Sequence, residues 1–283
     1  MKKLYSRIIM LLALTGCTRP EYLIFSSDRD GNSNIYKMKN DGSTIEQLTG
    51  DEWKQWSPQV MNKHEISFLA LENGKFKRYK LHLKTRERQE IRQPQACTLK
   101  DKNSILSPNG KWQAYVCNGD IYLSDMTFEN TRNLTQNISS RDFSPDWFPD
   151  SQQIAFTSNR DGNLEIYTIN TDGTGLKNIS HSPHNEAAPK VSPDGRKILY
   201  SSDRDGNGNR EIYLHNLQSG DLENITQSHK WELLSTWSKK GKYIYYSSNQ
   251  DGNWEIYKYD LKSKQAKNIT NNPSFEGDQQ VLR

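Results

Sequence analysis

The sequence lacks the short motifs that mark most catalytic sites. It contains no nucleophile elbow, no zinc-protease helix motif, no phosphate-binding glycine loop and no paired-cysteine motif. An excess of positive charge is also missing, because the formal net charge is only +4 and Lys2, Lys3 and Arg7 all lie at the N-terminus. A nearly neutral chain with interleaved acids and bases does not fit a nucleic-acid-binding protein. We therefore expect no nucleic-acid partner, and an enzymatic function has no positive support.

Long hydrophobic runs are absent too. The longest, residues 8–14, is too short to span a bilayer as a helix, but it suits the apolar region of a secretory signal. The Leu-Thr-Gly-Cys sequence that ends at Cys17 resembles the lipobox of bacterial lipoproteins, which implies that residues 1–17 comprise a signal peptide and an acylated cysteine. Residues 18–20 would be a short tether, and Thr18 in this place favours the outer membrane. An ordinary cleaved signal with an incidental cysteine is the alternative.

What the sequence does contain is a repeat, marked by a turn of the Asp-Gly or Asn-Gly type. The turn glycines follow one another at intervals of 43 to 46 residues: Gly31, Gly74, Gly119, Gly162, Gly206 and Gly252. Between these turns hydrophobic residues alternate with period two, which indicates strands. An interval of about 40–50 residues is typical of the four-stranded blades of a propeller. The sequence thus predicts an all-β fold over residues 21–283, a six-bladed β-propeller of four-stranded blades.

The first repeat has no innermost strand of its own. Residues 22–26 already correspond to a second strand, as residues 154–158 do in the fourth repeat. At the other end of the chain, residues 276–281 have the register of an innermost strand. We expect this C-terminal strand to pair in the first blade and close the ring, which removes exposed sheet edges. We also expect a monomer.

Cysteine is scarce, with three residues in the chain. Besides Cys17 there are Cys97 and Cys117, in a protein whose signal directs it to a compartment where disulfides persist. By the repeat, Cys117 ends a second strand and Cys97 lies in the loop that leads into the same blade. We predict a Cys97–Cys117 disulfide, with two free buried thiols as the alternative.

An acid recurs in every repeat, five residues before the last apolar position of the innermost strand. The six acids are Asp51, Asp101, Asp142, Glu186, Glu232 and Glu276. In a structural interpretation each acid pairs with backbone amides or with a turn arginine: Arg29, Arg160 or Arg204. In a functional interpretation the ring of acids attracts a cation or a basic segment of a partner. Both interpretations place the acids where the incoming loops and the Asp-Gly turns meet.

The loops around these acids contain aromatic residues and histidines. The aromatic candidates for contact with a partner precede the innermost strands: Trp53, Trp231 and Phe275. The histidines lie in the equivalent loops of two blades: His181, His184 and His229. Imidazole and carboxylate groups together suit zinc or manganese, whereas solvated loop histidines are the alternative. No cofactor is predicted unless the chain is a metal-dependent enzyme.

The two most regular repeats resemble the TolB propeller family. The residues that carry the resemblance are SPDGRKILY at 192–200 with DRDG at 203–206 and EIY at 211–213, and NRDGNLEIY at 159–167 with DGT at 172–174. The resemblance covers nearly all of residues 21–283 and implies a six-bladed periplasmic propeller that binds protein partners. The α/β domain that precedes the propeller in TolB is not expected here, and the lipid anchor is an additional difference.

The sequence therefore predicts a lipid-anchored cell-envelope protein that faces the periplasm and binds an unidentified protein partner without catalysis. We expect the contact face at the acid-ringed end of the central channel. Related repeats also occur in oligogalacturonate lyases, which have seven blades and bind manganese through histidines. A metal-dependent carbohydrate-active enzyme resembling these lyases is the alternative, and a divalent metal is expected only in that case.

Overall fold

The computed structural model describes residues 20–91, 104–136, 139–206 and 208–282. Within these ranges 24 β-strands form six antiparallel sheets of four strands each, which confirms the predicted six-bladed propeller. No helix in this part of the chain is long and apolar enough to cross a membrane. The predictions made for Cys17, Cys97 and Asp101 lie outside the described residues.

Each blade is given from the central axis outwards. Blade 1 contains β24 (Glu276–Leu282), β1 (Tyr22–Ser27), β2 (Asn34–Lys39) and β3 (Glu46–Gln47). Blade 2 contains β4 (Gln55–Val60), β5 (Glu65–Glu72), β6 (Lys75–His82) and β7 (Arg88–Glu90). Blade 3 contains β8 (Ile105–Leu106), β9 (Trp112–Cys117), β10 (Asp120–Asp125) and β11 (Thr131–Asn133).

The other three blades are the more regular ones. Blade 4 contains β12 (Asp142–Trp147), β13 (Gln153–Ser158), β14 (Glu165–Asn170) and β15 (Lys177–Asn178). Blade 5 contains β16 (Glu186–Val191), β17 (Lys197–Ser202), β18 (Glu211–Asn216) and β19 (Leu222–Asn224). Blade 6 contains β20 (Glu232–Trp237), β21 (Tyr243–Ser248), β22 (Glu255–Asp260) and β23 (Gln265–Asn268).

The ring closes as predicted. Strand β24 pairs antiparallel with β1, so that Leu282 lies opposite Tyr22 and Glu276 lies opposite Ser27. The hydrophobic core lies between blades: Phe25 of blade 1 belongs to the same buried cluster as Tyr245 of blade 6. Because each blade buries one face against the next, closure covers the free faces of blades 1 and 6, and β24 covers the inner edge of β1.

The innermost strands are not regular. In five blades the third residue of this strand has a positive φ of 51° to 56° and coincides with a shift of the strand register: Ser57, Ser144, Ala188, Leu234 and Asp278. A β-bulge of this kind bends the strand locally and re-aims the following side chains. The two residues before the bulge therefore belong to the end of the propeller, while the residues from the bulge onward line the central channel.

Candidate binding face

One end of the propeller carries the turns between the second and third strands of the blades. The same end carries the segments that lead into the innermost strands, and we call it the Asp-Gly face. In blade 5 the first residue of the turn, Asp203, accepts a hydrogen bond from the backbone N–H of Asn185 at 2.8 Å. The N–H of Asp203 donates in return to the carbonyl of Asn185 at 3.3 Å. Two hydrogen bonds thus fix the backbone just before β16.

This reciprocal pair recurs in four blades. Its members are Asp28 with Phe275, Asn159 with Arg141, Asp203 with Asn185, and Asn249 with Trp231, with distances of 2.7 to 3.0 Å for the first bond and 3.3 Å for the second. The turn residue is always Asp or Asn, but its partner differs in every blade. We call these partners the presenting residues: Phe275, Arg141, Asn185 and Trp231. A fixed backbone thus places four different side chains on one face, and that of Asn185 is itself bonded to Asp203 and to the Leu164 N–H.

The acids that follow the presenting residues are buried. Asp142, Glu186, Glu232 and Glu276 are all 0% exposed. Their carboxylates are not exposed on the surface of this structure, so they do not form the accessible rim of acids that the functional interpretation requires. The structural interpretation fits their environment better.

Turn arginines neutralise three of these acids. In blade 4, Arg160 donates from Nη2 to Asp142 at 3.1 Å and from Nε to Ser158 Oγ at 2.9 Å, and its Cζ lies 4.7 Å from the centre of the Tyr167 ring. The corresponding ion pairs of blades 5 and 1 are Arg204 with Glu186 at 2.7 Å and Arg29 with Glu276 at 2.8 Å. A charged donor next to a buried carboxylate offsets the cost of removing that carboxylate from water.

Asp51 does not share the register predicted for it. Gln55 occupies the first position of β4, opposite Ala70, and donates its side-chain amide to Asp51 Oδ2 at 2.5 Å. Asp51 is also ion-paired with Arg88 of β7, whose Cζ lies 4.7 Å from the centre of the Tyr79 ring. Blade 2 therefore assembles the acid, the guanidinium and the tyrosine from different positions of the chain.

Blade 6 has the acid but not the arginine, because Gln250 stands at the turn position. Ser248 Oγ donates to Glu232 Oε1 at 2.9 Å and the hydroxyls of Ser228 and Thr226 lie near this carboxylate, whereas Glu232 Oε2 is buried without a hydrogen bond of normal geometry. Burial raises the pKa of Glu232 to about 7, and the nearby carboxylate of Glu211 acts in the same direction. Of the four buried acids, Glu232 alone has no arginine partner.

The predicted aromatic residues differ in exposure. Trp231 is 39% exposed, while Trp53 and Phe275 are half-buried. The ring of Trp53 lies 5.5 Å from the Arg88 guanidinium, which ties it to the blade 2 cluster. Two of the three residues, Trp231 and Phe275, are presenting residues.

The predicted histidines are close to the surface. His181 and His229 are exposed and His184 is half-buried. The described residues contain no group of three or more His, Cys, Asp or Glu side chains placed to hold a metal ion. The structure therefore does not bring His181, His184 and His229 together as a ligand set.

Cys117 ends β9, as the repeat predicts, and is disulfide-bonded. The other two cysteines, Cys17 and Cys97, lie outside the described residues. The pairing of Cys97 with Cys117 therefore stays a prediction.

The central channel has different carboxylates from those predicted. A cavity of about 390 Å³ is lined by the innermost strands of all six blades, and its carboxylates belong to Asp146 and Asp278. Asp146 is ion-paired with Lys190 at 3.2 Å, and Asp278 accepts the backbone N–H of Ser57 at 3.2 Å. The acid-ringed channel mouth that we expected is absent from the described strands, because the bulges separate the buried acids from the channel.

Sequence reasoning missed the presenting positions and the exception at Gln250. The presenting residues share no side-chain chemistry, so no pattern of residue types marks them. The exception could have been found by aligning the turns, since Arg29, Arg160 and Arg204 all follow the first turn residue and Gln250 stands in the same place. Its meaning depends on the burial of Glu232, which the sequence does not show.

The fold and much of the sequence match known proteins. A family model described as the TolB beta propeller domain matches residues 57–207 and 106–281. An uncharacterised protein of Agrobacterium fabrum is 33% identical over 101 residues, 34% of this chain and 34% of that protein. The matched stretches thus span about a third or less of the curated relatives.

Two solved structures are informative about the fold. TolB from Acinetobacter baumannii has a TM-score of 0.78 at 17% identity, over 93% of this chain and 66% of that chain. An oligogalacturonate lyase in complex with manganese has a TM-score of 0.57 at 12% identity, over 89% of this chain and 74% of that chain. At these identities both likenesses show the fold alone, and neither transfers a site.

Proposed function

We propose, since this chain belongs to the TolB β-propeller family, that it binds a protein partner in the bacterial cell envelope and catalyses no reaction. The observation that carries the proposal is the set of presenting residues on the Asp-Gly face. Their backbones are fixed by paired hydrogen bonds, and their side chains differ from blade to blade. A surface fixed in advance loses little conformational entropy on binding, which favours specific association.

Trp231 is the residue that we expect to anchor the contact. It is 39% exposed, and its backbone is held to Asn249 by two hydrogen bonds. Tryptophan is enriched among the few residues that supply most of the energy of a protein interface. An exposed tryptophan on a fixed backbone therefore suits a partner with a matching apolar pocket.

The envelope location rests on the sequence rather than on the fold. We propose that acylated Cys17 anchors the chain and that residues 18–20 hold the propeller close to the periplasmic side of the outer membrane. Replacing Cys17 with serine should abolish metabolic labelling by a fatty-acid analogue and release the protein from the membrane fraction. Labelling that persists in the variant would contradict the anchor.

Crosslinking in intact envelopes, followed by purification of the tagged chain, tests the binding function. We expect one specific protein to be captured by the native chain and at least about tenfold less of it by Trp231→Ala, the loss that one interface anchor of ~1.4 kcal/mol or more produces. Leu222→Ala is the matched control, because Leu222 is 38% exposed and lies on the outermost strand of blade 5. Both variants should unfold at the temperature of the native chain.

Equal capture by Trp231→Ala and the native chain would contradict a contact through this residue. Elemental analysis of protein purified without chelator addresses the enzymatic alternative. Stoichiometric manganese or zinc, combined with failure to capture a partner, would favour the enzyme over the binding protein.

A further inference from the structure

Blade 6 reproduces the arginine site of the other blades without the arginine. In blade 1, Ser27 Oγ donates to Glu276 Oε1 at 3.0 Å and Arg29 Nη2 donates to Oε2 at 2.8 Å. In blade 6, Ser248 Oγ donates to Glu232 Oε1 at 2.9 Å, and Oε2 has no partner. Glu186 Oε2 of blade 5 has none either, but Arg204 binds the other oxygen of that carboxylate, so blade 6 differs in having no charged donor at all. A buried carboxylate without a charged donor is costly, so the site favours a cationic donor in the place that Arg29 occupies in blade 1.

The aromatic part of the site is present as well. In blade 4 the guanidinium of Arg160 lies on the ring of Tyr167, whose hydroxyl donates to Asp161. Tyr257 and Asp251 of blade 6 form the same hydrogen bond. The carboxylate, the serine hydroxyl and the tyrosine ring of a guanidinium site are thus all in place.

The chain does not compensate for the missing charge here. No Lys or Arg of the described residues forms an ion pair with Glu232, and Glu211 of β18 adds a second carboxylate nearby. At the junction of blades 1 and 2, which also has no turn arginine, the two equivalent positions are the amides Asn34 and Gln55. The junction of blades 5 and 6 keeps both acids, Glu211 and Glu232, so a cation placed beside them would be stabilised.

The site opens towards the Asp-Gly face. The arginine side chains that occupy this position in blades 1, 4 and 5 are 11% to 21% exposed, so the position reaches the surface in those blades. Gln250 is itself exposed and contacts the Tyr257 hydroxyl, but it gives no charge to Glu232. It follows Asn249, the residue that fixes Trp231. A side chain that enters over Gln250 would therefore lie next to the residue that holds the backbone of the proposed anchor.

We propose that blade 6 binds a guanidinium group, supplied by an arginine of the partner protein, between Glu232, Ser248 and Tyr257. The source of the arginine rests on the proposed function, whereas the site itself does not. A planar guanidinium donates to the carboxylate and the hydroxyl while it lies on the ring, and a lysine ammonium cannot do all three in this geometry.

Agmatine, a small guanidinium compound, serves as the probe in thermal unfolding of the purified chain. Cadaverine, which ends in ammonium groups, is the control at equal concentration and ionic strength. We expect saturating agmatine to raise the Tm of the native chain by about 2–4 °C and cadaverine to leave it unchanged. Gln250→Arg should raise the Tm by a similar amount without ligand and abolish the agmatine response. Arg204→Gln, which recreates the blade 6 arrangement in blade 5, should enlarge that response.

An absent agmatine response in the native chain, or an equal response in Gln250→Arg, overturns the guanidinium site. In the crosslinking experiment, Gln250→Arg should reduce capture of the partner at least about tenfold, and undiminished capture overturns the partner as the source of the arginine. Capture that depends on Trp231 but comes without any agmatine response removes this inference and leaves the proposed function standing. An agmatine response without a captured partner supports the guanidinium site and contradicts the proposed binding function.

Discussion

The hydroxyl of Ser27 donates to the carboxylate of Glu276 at 3.0 Å, although 249 residues separate the two in the chain. Ser248 and Glu232 make the same hydrogen bond at 2.9 Å inside blade 6, where only 16 residues separate them. The geometry of the repeat is therefore kept across the point where the two ends of the chain meet. Blade 1 is built like the other blades even though its innermost strand comes last in the sequence.

Removal of residues 276–283 tests this closure. The truncation removes β24, exposes the edge of β1 and uncovers the cluster that contains Phe25. We expect the Tm to fall by about 10 °C or more, as a loss of ~3–5 kcal/mol produces in a domain of this size, and the protein to associate through its free edge. Circular dichroism and size-exclusion chromatography measure the two effects. A chain that ends at Leu282 is the control, and an unchanged melting curve of the truncated chain would refute closure by β24.

Gly42 is the glycine whose replacement should be most damaging. It has a φ of +87°, and a Cβ at this position would lie against the carbonyl oxygen of Ile269 in blade 6, far inside contact distance. Gly173 occupies the equivalent turn of blade 4 with a φ of +91° and has open space around its Cβ position. Both alanine variants bear the cost of a left-handed residue, about 1–2 kcal/mol, but only Gly42→Ala also forces blades 1 and 6 apart.

We therefore expect Gly42→Ala to lower the Tm by several degrees more than Gly173→Ala. Thermal unfolding of the two variants side by side measures the difference, and the shared backbone strain cancels in the comparison. Equal decreases in Tm would show that the backbone at Ile269 moves away from the new Cβ without a measurable loss of stability.

Most of the fold was accessible from the sequence because a propeller repeats its local rules. The turn glycines and the period-two alternation gave the number of blades, and the register of residues 276–281 gave the closure. Asp51 was misplaced because blade 2 changes the rule: Arg88 comes from the outermost strand, and the acid lies four residues before Gln55. The acid and the arginine of blade 2 meet in space although they occupy other positions of the repeat, so an alignment of the repeats cannot pair them.

The sequence predicted which end of the propeller carries the candidate face, but it did not predict which interactions hold the residues of that face. Both Trp231 and Phe275 were found, since aromatic residues in loops are conspicuous. The reciprocal hydrogen bonds that fix them were not, because any residue can donate its backbone N–H to Asn249 or Asp28. The carboxylates were interpreted as a rim because a sequence does not show that the bulges separate them from the channel.

A disulfide between Cys97 and Cys117 should stabilise blade 3. A bond that closes a loop of about 20 residues contributes about 3 kcal/mol by chain-entropy estimates, so reduction should lower the Tm by roughly 6–12 °C. Alkylation without reductant, followed by peptide mass spectrometry, identifies the bonded pair. Two alkylated thiols at these positions would exclude the bond, and a Cys117 peptide linked to another chain would point to an intermolecular disulfide instead.

Titration of Glu232 should make the protein less stable as the pH rises towards 7. Its pKa is raised to about 7 in the folded protein, mainly by burial, whereas a glutamate in the unfolded chain titrates near about 4.3. Between about pH 4.3 and 7 the carboxyl group of Glu232 is therefore protonated in the folded state and ionised in the unfolded state. Its contribution to the free energy of unfolding is fully present below about pH 4.3 and is lost as the pH rises through 7, with a total on the order of 2–3 kcal/mol.

Glu232→Gln keeps the shape of the side chain and removes this titration. We expect the Tm of the native chain to fall relative to that of the variant as the pH rises from 5 to 8. Glu276, whose pKa burial also raises against the opposing effect of Arg29, titrates in both proteins, so the difference between their curves isolates Glu232. Glu223→Gln, in which an exposed ion pair with Lys264 is lost, is the control for the loss of a carboxylate at the surface. Parallel curves for Glu232→Gln and the native chain would mean that folding does not raise the pKa of Glu232, and would contradict this prediction.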